Sequence, residues 1–202
     1  MLGAWDVSLF RWINSGWNGA FADELFRFFS LAAKLPFMVV IFAVVLVIHL
    51  IAGGALRRGA ALAMLAWPIA NALCDVFKGL LASARPCVEL TGVNLVHEYG
   101  GRVMYLDSSG TASAHSANMA AIATVLTIEA KWWGAPWILF AFLTGLSRVY
   151  TGVHYPSQVL LGWMVGILCG FVVSRTWHAY RAHRARLKSA LVPQPPIQSR
   201  ID

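Results

Sequence analysis

YPSQVLLGWMVGILCGFVVSRTW, residues 155–177, holds an unbroken apolar run over 159–173. A bilayer core about 30 Å thick takes roughly 20 helical residues, so this stretch reads as a membrane-spanning helix. PFMVVIFAVVLVI, residues 36–48, is a second such run. Outward from these two, apolar stretches of similar length and few charges predict spans at about 31–52, 59–82, 112–128, 132–150 and 155–177. Composition agrees. Of 202 residues, 58% are hydrophobic and only 12% charged, with a mean hydropathy of +0.64, against about 25% charged in a soluble domain. Such a chain cannot clothe a soluble globule in polar surface. The expected fold class is all-α, a polytopic membrane helical bundle of about five transmembrane helices.

Residues 5–29, WDVSLFRWINSGWNGAFADELFRFF, are aromatic-rich but interrupted by Asp6, Arg11, Asp23, Glu24 and Arg27. That pattern predicts a helix lying in the interface rather than across it. It carries no basic stretch followed by an apolar core and cleavage site, so it does not read as a signal peptide. Cys74, Cys87 and Cys169 are too few and scattered for a disulfide framework, and no C-x-x-C pair suggests zinc. Residues 1–180 read as one membrane-embedded domain. Residues 181–202 read as a basic, Pro-containing cytoplasmic tail, with the VPQPPIQSRID end expected to lack order.

The net charge of +7 is not gathered into a soluble basic domain, so no nucleic-acid partner is expected. It serves orientation instead. Arg57 and Arg58 lie between the first two spans, and Arg175, Arg181, Arg184, Arg186 and Lys188 follow the fifth. The positive-inside rule puts both groups in the cytoplasm. With five spans, the whole excess then falls inside and the opposite face is neutral.

Ionisable groups near membrane depth are costly and are therefore functional candidates. Lys78 and Arg85 stand two helical turns apart near the outer end of the second span, and Pro86 biases Arg85 out of helix. Alone they read equally well as snorkelling cations. The third span opens at Ser113, Ala114 and His115, where a capped helix start offers free N–H groups to an anion; an ordinary capped helix with an interfacial histidine reads as well. The fourth span ends at Ser147-Arg148, and His154 follows in a turn punctuated by Gly152 and Pro156. Topology brings all three segments to one face. Lysine, two arginines, a helix start and two histidines there describe a phosphate site, one histidine attacking phosphorus and the other protonating the leaving oxygen.

Lys78 with Arg85-Pro86, then Ser113-x-His115, then Ser147-Arg148 with His154 resemble the three signature segments of the type 2 phosphatidic acid phosphatase superfamily. The N-terminal LFRWIN is similar to the small bacterial undecaprenyl-diphosphatase branch. The resemblance implies a helical bundle in the cell's inner membrane. Its extracytoplasmic pocket would cleave a lipid phosphate or diphosphate, undecaprenyl diphosphate first among them, through a phosphohistidine and with no metal or other cofactor. It implies His154 as nucleophile, His115 as general acid, and Lys78, Arg85, Ser113, Ala114 and Arg148 as substrate-binding residues. Glycerophospholipid or lipid A phosphatase, or phosphotransferase, are the alternative activities.

Two positions depart from the family pattern. Ala114 stands where it has Gly, and Gln158 stands where it has the Asp that orients and stabilises the nucleophilic ring. Gln158 can hold the tautomer through its amide oxygen but brings no negative charge. A catalytically weak or silent lipid-phosphate binder is the reading this departure keeps open. Asp75, one turn before Lys78, reads as a partner for that lysine. His97, Glu98 and Asp107, in the long connection 87–111, read as solvated loop residues, and His49 as interfacial.

Overall fold

The computed structural model describes residues 3–96 and 109–191. His97, Glu98 and Asp107 therefore lie outside the described residues. All regular structure among those described is helical: α1 (Ala4–Gly16), α2 (Ala20–Leu31), α3 (Pro36–Ala52), α4 (Gly54–Leu80), α5 (Pro86–Glu89), α6 (Ala114–Ala130), α7 (Ala135–Tyr150) and α8 (Pro156–Ala190).

Boundaries follow local chemistry. Prolines open α3, α5 and α8, where a missing N–H costs nothing and φ is already helical. Gly53, at φ 77°, makes the reversal between α3 and α4, a left-handed conformation that a Cβ would strain. The first expected span shortens at its start, because Leu35 before Pro36 is extended and residues 32–34 form a 3-10 turn. The single interfacial helix expected over 5–29 is two helices, parted at residues 17–19 where Asn18-Gly19 breaks the run. At the other end, α8 continues to Ala190, so the first ten residues of the expected tail extend the last helix.

Helices α4, of 27 residues, and α8, of 35, are long and apolar enough to cross a membrane. A third crossing arises if α2 and α3, bent by 57° at their junction, count as one. Helices α3, α6 and α7 have 17, 17 and 16 residues. Large apolar side chains point outward along α3, α4 and α8, among them Val40, Ile51, Met64, Leu65, Leu168 and Phe171. This is the pattern of a lipid-facing surface.

Helix α6 lies at the centre, packed on α4, α7 and α8. Its contact faces are small. Ala63, Ala66, Ala70 and Cys74 of α4 meet Ala117 and Ala121 of α6 in one buried cluster. On α8, Gly162, Gly166 and Gly170 sit directly against the backbone carbonyls of Ser113, Ala117 and Ala121. Small residues at such a repeat let helix backbones approach closely in lipid, where packing rather than hydrophobic exclusion drives association. A second buried cluster joins Phe10 and Ile13 of α1 and Phe26 of α2 to Val149, Tyr150, Tyr155 and Val159 around the α7–α8 turn.

Candidate active site

The turn between α7 and α8 carries His154. Its backbone folds back on the helix end, the N–H groups of Val153 and His154 both donating to the carbonyl of Arg148 at 3.2 and 3.1 Å. Gly152 adopts φ 81°, and a Cβ there would collide with Val93. The N-terminal helices clamp this turn from outside. Asn14 donates to the carbonyls of Tyr150 (2.7 Å) and Asn94 (2.8 Å), and Tyr150 donates to Asp23 (2.7 Å). Asp6, only 1% exposed, accepts from the Ser157 N–H at 2.9 Å in the first turn of α8. A carboxylate at a helix start is favoured by the exposed N–H groups and the helix dipole. Asp6 is thus a buried support rather than an interfacial charge, a role that only its distant partner could reveal.

His154 is 3% exposed, and its two ring nitrogens face opposite chemistry. Nδ1 stands 3.0 Å from the Gly110 carbonyl and 3.1 Å from Gln158 Oε1, both acceptors. Nε2 stands 3.0 Å from Nη1 of Arg85, a donor only. The network therefore assigns the proton to Nδ1 and leaves the Nε2 lone pair directed at the guanidinium. Burial, then the charges of Arg148 and Arg85, hold the imidazole well below its ordinary pKa. Both effects favour the neutral ring.

Gln158 is fully engaged. Its Oε1 also accepts the Tyr155 N–H at 3.1 Å, an N3 side chain reaching back to the helix cap. Its Nε2 donates to Ser83 Oγ and to the Ala84 carbonyl, each at 2.9 Å. These four contacts fix which end of the amide faces the histidine. The expectation that Gln158 approaches Nδ1 through its oxygen matches this geometry.

Arg85 is 5% exposed and extended at the cap of α5, as Pro86 predicts. Its guanidinium also donates to the carbonyls of Val153 (3.1 Å) and Ser109 (3.2 Å). Burial lowers its pKa, yet an arginine remains charged. The segments around Ser83 and Gly110 are tied together, Gly110 N–H donating to the Ser83 carbonyl at 2.8 Å and Ser83 N–H to Ser109 Oγ at 3.1 Å. Sequence reading missed Ser83, Ser109 and Gly110. Only Gly110, among small residues ahead of the third span, offered a signal.

Arg148 is buried, 4% exposed, and donates to Ser30 Oγ at 2.5 Å across to the end of α2. Ser113 stands at the N-cap position of α6 but makes no side-chain capping bond; its Oγ instead accepts from Ser116 Oγ at 2.9 Å, and its N–H donates to the Gln158 carbonyl at 3.0 Å, which ties α6 to α8. Ala114 and His115 open α6. Lys78 pairs with Asp75 at 2.7 Å, as expected for one turn's separation, and neither touches the His154 network. Arg85, His154 and Gln158 thus meet directly; Arg148 and Ser113 join through their backbones.

Ala114 and His115 line one end of a largely apolar cavity of about 530 Å³ between α3, α4, α6 and α7. Its far end reaches His49 and Leu126. His49, expected only as an interfacial residue, lines that end and donates to the Val45 carbonyl through Nδ1 at 2.7 Å.

Residues 59–182 match the PAP2 superfamily. Among curated proteins, the bacitracin transport permease protein BcrC of Bacillus licheniformis is 30% identical over 111 residues, 55% of this chain and 52% of that protein. Undecaprenyl-diphosphatase BcrC of Bacillus subtilis (strain 168) is 36% identical over 63 residues, 31% of this chain and 33% of that one. The chain thus spans about half or less of the curated relatives it matches. Aquifex aeolicus LpxE, a solved structure, superposes with a TM-score of 0.70 at 28% identity over 86% of this chain and 96% of its own. The transmembrane PAP2 type phosphatidylglycerolphosphate phosphatase from Bacillus subtilis shares the fold, with a TM-score of 0.63 at 22% identity over 88% of each chain.

Proposed function

Because this chain belongs to the PAP2 superfamily, we propose that it is a membrane lipid phosphatase that hydrolyses undecaprenyl diphosphate to the monophosphate through a phosphohistidine. The observation that carries the reading is the division of the His154 ring, with Nδ1 against Gly110 and Gln158 and Nε2 against Arg85. A terminal phosphoryl group enters where Arg85, Arg148 and the first-turn N–H groups of α6 converge, with Lys78 at the rim. These groups balance its charge. Nε2 of His154 forms a bond to phosphorus as the bond to the leaving oxygen breaks, and His115 gives that oxygen its proton. The ring, still protonated on Nδ1, is now cationic. Water then attacks phosphorus, His115 takes its proton, and inorganic phosphate leaves with His154 neutral again. The route draws on protein groups alone.

The apolar cavity beside His115 supports a lipid rather than a soluble phosphate ester. Five helices, α3, α4, α6, α7 and α8, cross the bilayer in this reading, the shorter ones falling within or just below the lengths that span. The His154 end faces the extracytoplasmic side, and Arg57, Arg58 and the end of α8 face the cytoplasm. One domain covers residues 1–180, with the remainder cytoplasmic.

Phosphate release by purified protein in detergent with a chelator present, over undecaprenyl diphosphate, phosphatidic acid and a lipid A phosphate, tests the proposal. Turnover led by undecaprenyl diphosphate is expected. A second reading rests on the neutral amide at Gln158: if all of these lipids bind and none is hydrolysed, the chain is a silent lipid-phosphate binder.

A further inference from the structure

At the end of the bundle away from His154, a separate cleft of about 370 Å³ opens between α4 and α8. Arg58 and Lys78 lie 20 residues apart on α4, about 30 Å at the rise of an α-helix, so this cleft is independent of the phosphatase site. Arg57 and Arg58 from the first turns of α4 and Arg181 from α8 line it, with Gly54, Leu62 and Trp177 completing its wall. The charges are unevenly committed. Arg58 gives its Nε to Glu129 at 2.6 Å, and Glu129, its side chain fully buried, also meets His178 at 2.9 Å. The side chains of Arg57 and Arg181 have no hydrogen-bond partner among the described residues. Nor does Trp177, whose Nε1 is buried, although a buried N–H is normally satisfied.

Counter-charge from the protein is spent elsewhere. Glu129 is engaged behind Arg58, and four other described acids bond partners at the His154 end: Asp6 to Ser157, Asp23 to Tyr150, Asp75 to Lys78 and Glu89 to Tyr155. Glu24 pairs with Arg27 on α2. What remains in the cleft is a cationic pair, the outer nitrogens of a third guanidinium, an orphan indole N–H and the start of α4 with its unpaired backbone N–H groups. Those are donors only, arranged around a concavity large enough for a small molecule.

We propose that this cleft binds the phosphate group of an anionic molecule at the cytoplasmic face of the membrane. Arg57 and Arg181 would grip its oxygens from two helices and Trp177 would donate to it. Leu62 and Trp177 already line the cleft, and exposed Leu65, one turn further along α4 from Ala61 and Leu62, continues its apolar wall toward the bundle's middle, a surface that suits the acyl chains of a phospholipid. Basic pockets between transmembrane helices at this depth are suited to phospholipid head groups. Such a ligand bridges α4 and α8, the two helices that flank α6.

Native mass spectrometry of the full-length protein in neutral detergent tests this with dioleoylphosphatidylglycerol, dioleoylphosphatidylcholine and, in a separate arm, inorganic phosphate. The comparison is Arg57→Gln/Arg181→Gln against Arg175→Gln/Arg186→Gln, which removes equal charge outside the cleft. Trp177→Phe removes the N–H and keeps the ring. Preferential retention of phosphatidylglycerol is expected, weakened at least tenfold by Arg57→Gln/Arg181→Gln and several-fold by Trp177→Phe, and kept by Arg175→Gln/Arg186→Gln. Phosphatase activity in detergent reports that each variant is folded. Inorganic phosphate binding with the same dependence on Arg57 and Arg181, and no preference for the lipid, supports the site and assigns its occupant to a soluble anion. Equal losses in both double variants, or none in either, overturn the proposal and leave these arginines as topology signals alone.

Discussion

Nη1 of Arg85 lies 3.0 Å from Nε2 of His154, so the donor that would hold a phosphate oxygen and the nitrogen that would attack phosphorus already point into the same space. The contact holds the ring in place and occupies the lone pair of Nε2, which a phosphate oxygen would free by taking the guanidinium N–H for itself. Arg85→Lys should lose that fork while retaining charge, lowering kcat/KM by about 10²-fold or more. His154→Ala should remove both turnover and the acid-labile phosphoenzyme seen after a rapid acid quench with radiolabelled substrate. A phosphoenzyme persisting in His154→Ala would refute the nucleophile assignment.

His115 lies in the first turn of α6 beside the apolar cavity, where the proposed mechanism has it protonate the leaving oxygen. Replacing it with Asn should slow an alkyl phosphate by about 10²-fold or more and an activated aryl phosphate much less, because a good leaving group needs no proton. The comparison is kcat on the two substrates in one detergent. Equal losses on both would argue for a role other than general acid.

Gln158→Asp should act in two directions at once. A carboxylate beside Nδ1 stabilises the ring as it becomes cationic in the phosphohistidine step, so kcat should rise with little change in KM. The same change removes the amide donor from Ser83 Oγ and the Ala84 carbonyl. Losing these two partly buried hydrogen bonds costs about 0.5–1.5 kcal/mol each, with Ser83 Oγ keeping Thr111 as a partner, so the unfolding midpoint should fall while the rate climbs. A lower rate together with a lower midpoint would mean that the amide's scaffolding role outweighs charge.

Protonation of His154 is disfavoured by burial and by Arg148 and Arg85, which sets the sign of a pH effect. Its folded pKa lies below the ordinary histidine value of about 6.5, so below that pH the unfolded chain binds the proton and the native state does not. Stability should be insensitive to this group above about pH 6.5 and fall as pH drops beneath it, by at most about 1.4 kcal/mol per pH unit. Nitrogen-15 spectra of the detergent-solubilised protein should still show neutral His154 at pH 6. Arg148→Met should move its titration upward.

Orientation is checked with single cysteines in a background lacking Cys74, Cys87 and Cys169. A membrane-impermeant thiol reagent should label position 104 in intact cells and position 184 only after lysis. The reverse pattern would place the phosphatase site in the cytoplasm and remove the case for an extracytoplasmic lipid substrate.

Sequence alone determined the helical class, because an apolar run such as 159–173 has to satisfy its backbone internally once it is in lipid. It also located the three charged segments, since arginine, lysine and histidine stand out where nearly every neighbour is apolar, and proline and glycine marked where helices start and turn. What the tertiary structure decided concerns partners far apart in the chain. The tautomer of His154 depends on Gly110, 44 residues away, and the orientation of Gln158 on Ser83, 75 residues away. Asp6 reads as an interfacial charge until Ser157, 151 residues on, is seen to donate to it. Periodicity and propensity carry information over a turn or two of helix; a hydrogen bond across the bundle is fixed by how α1, α6 and α8 pack, and the small residues that permit that packing announce closeness without saying to what.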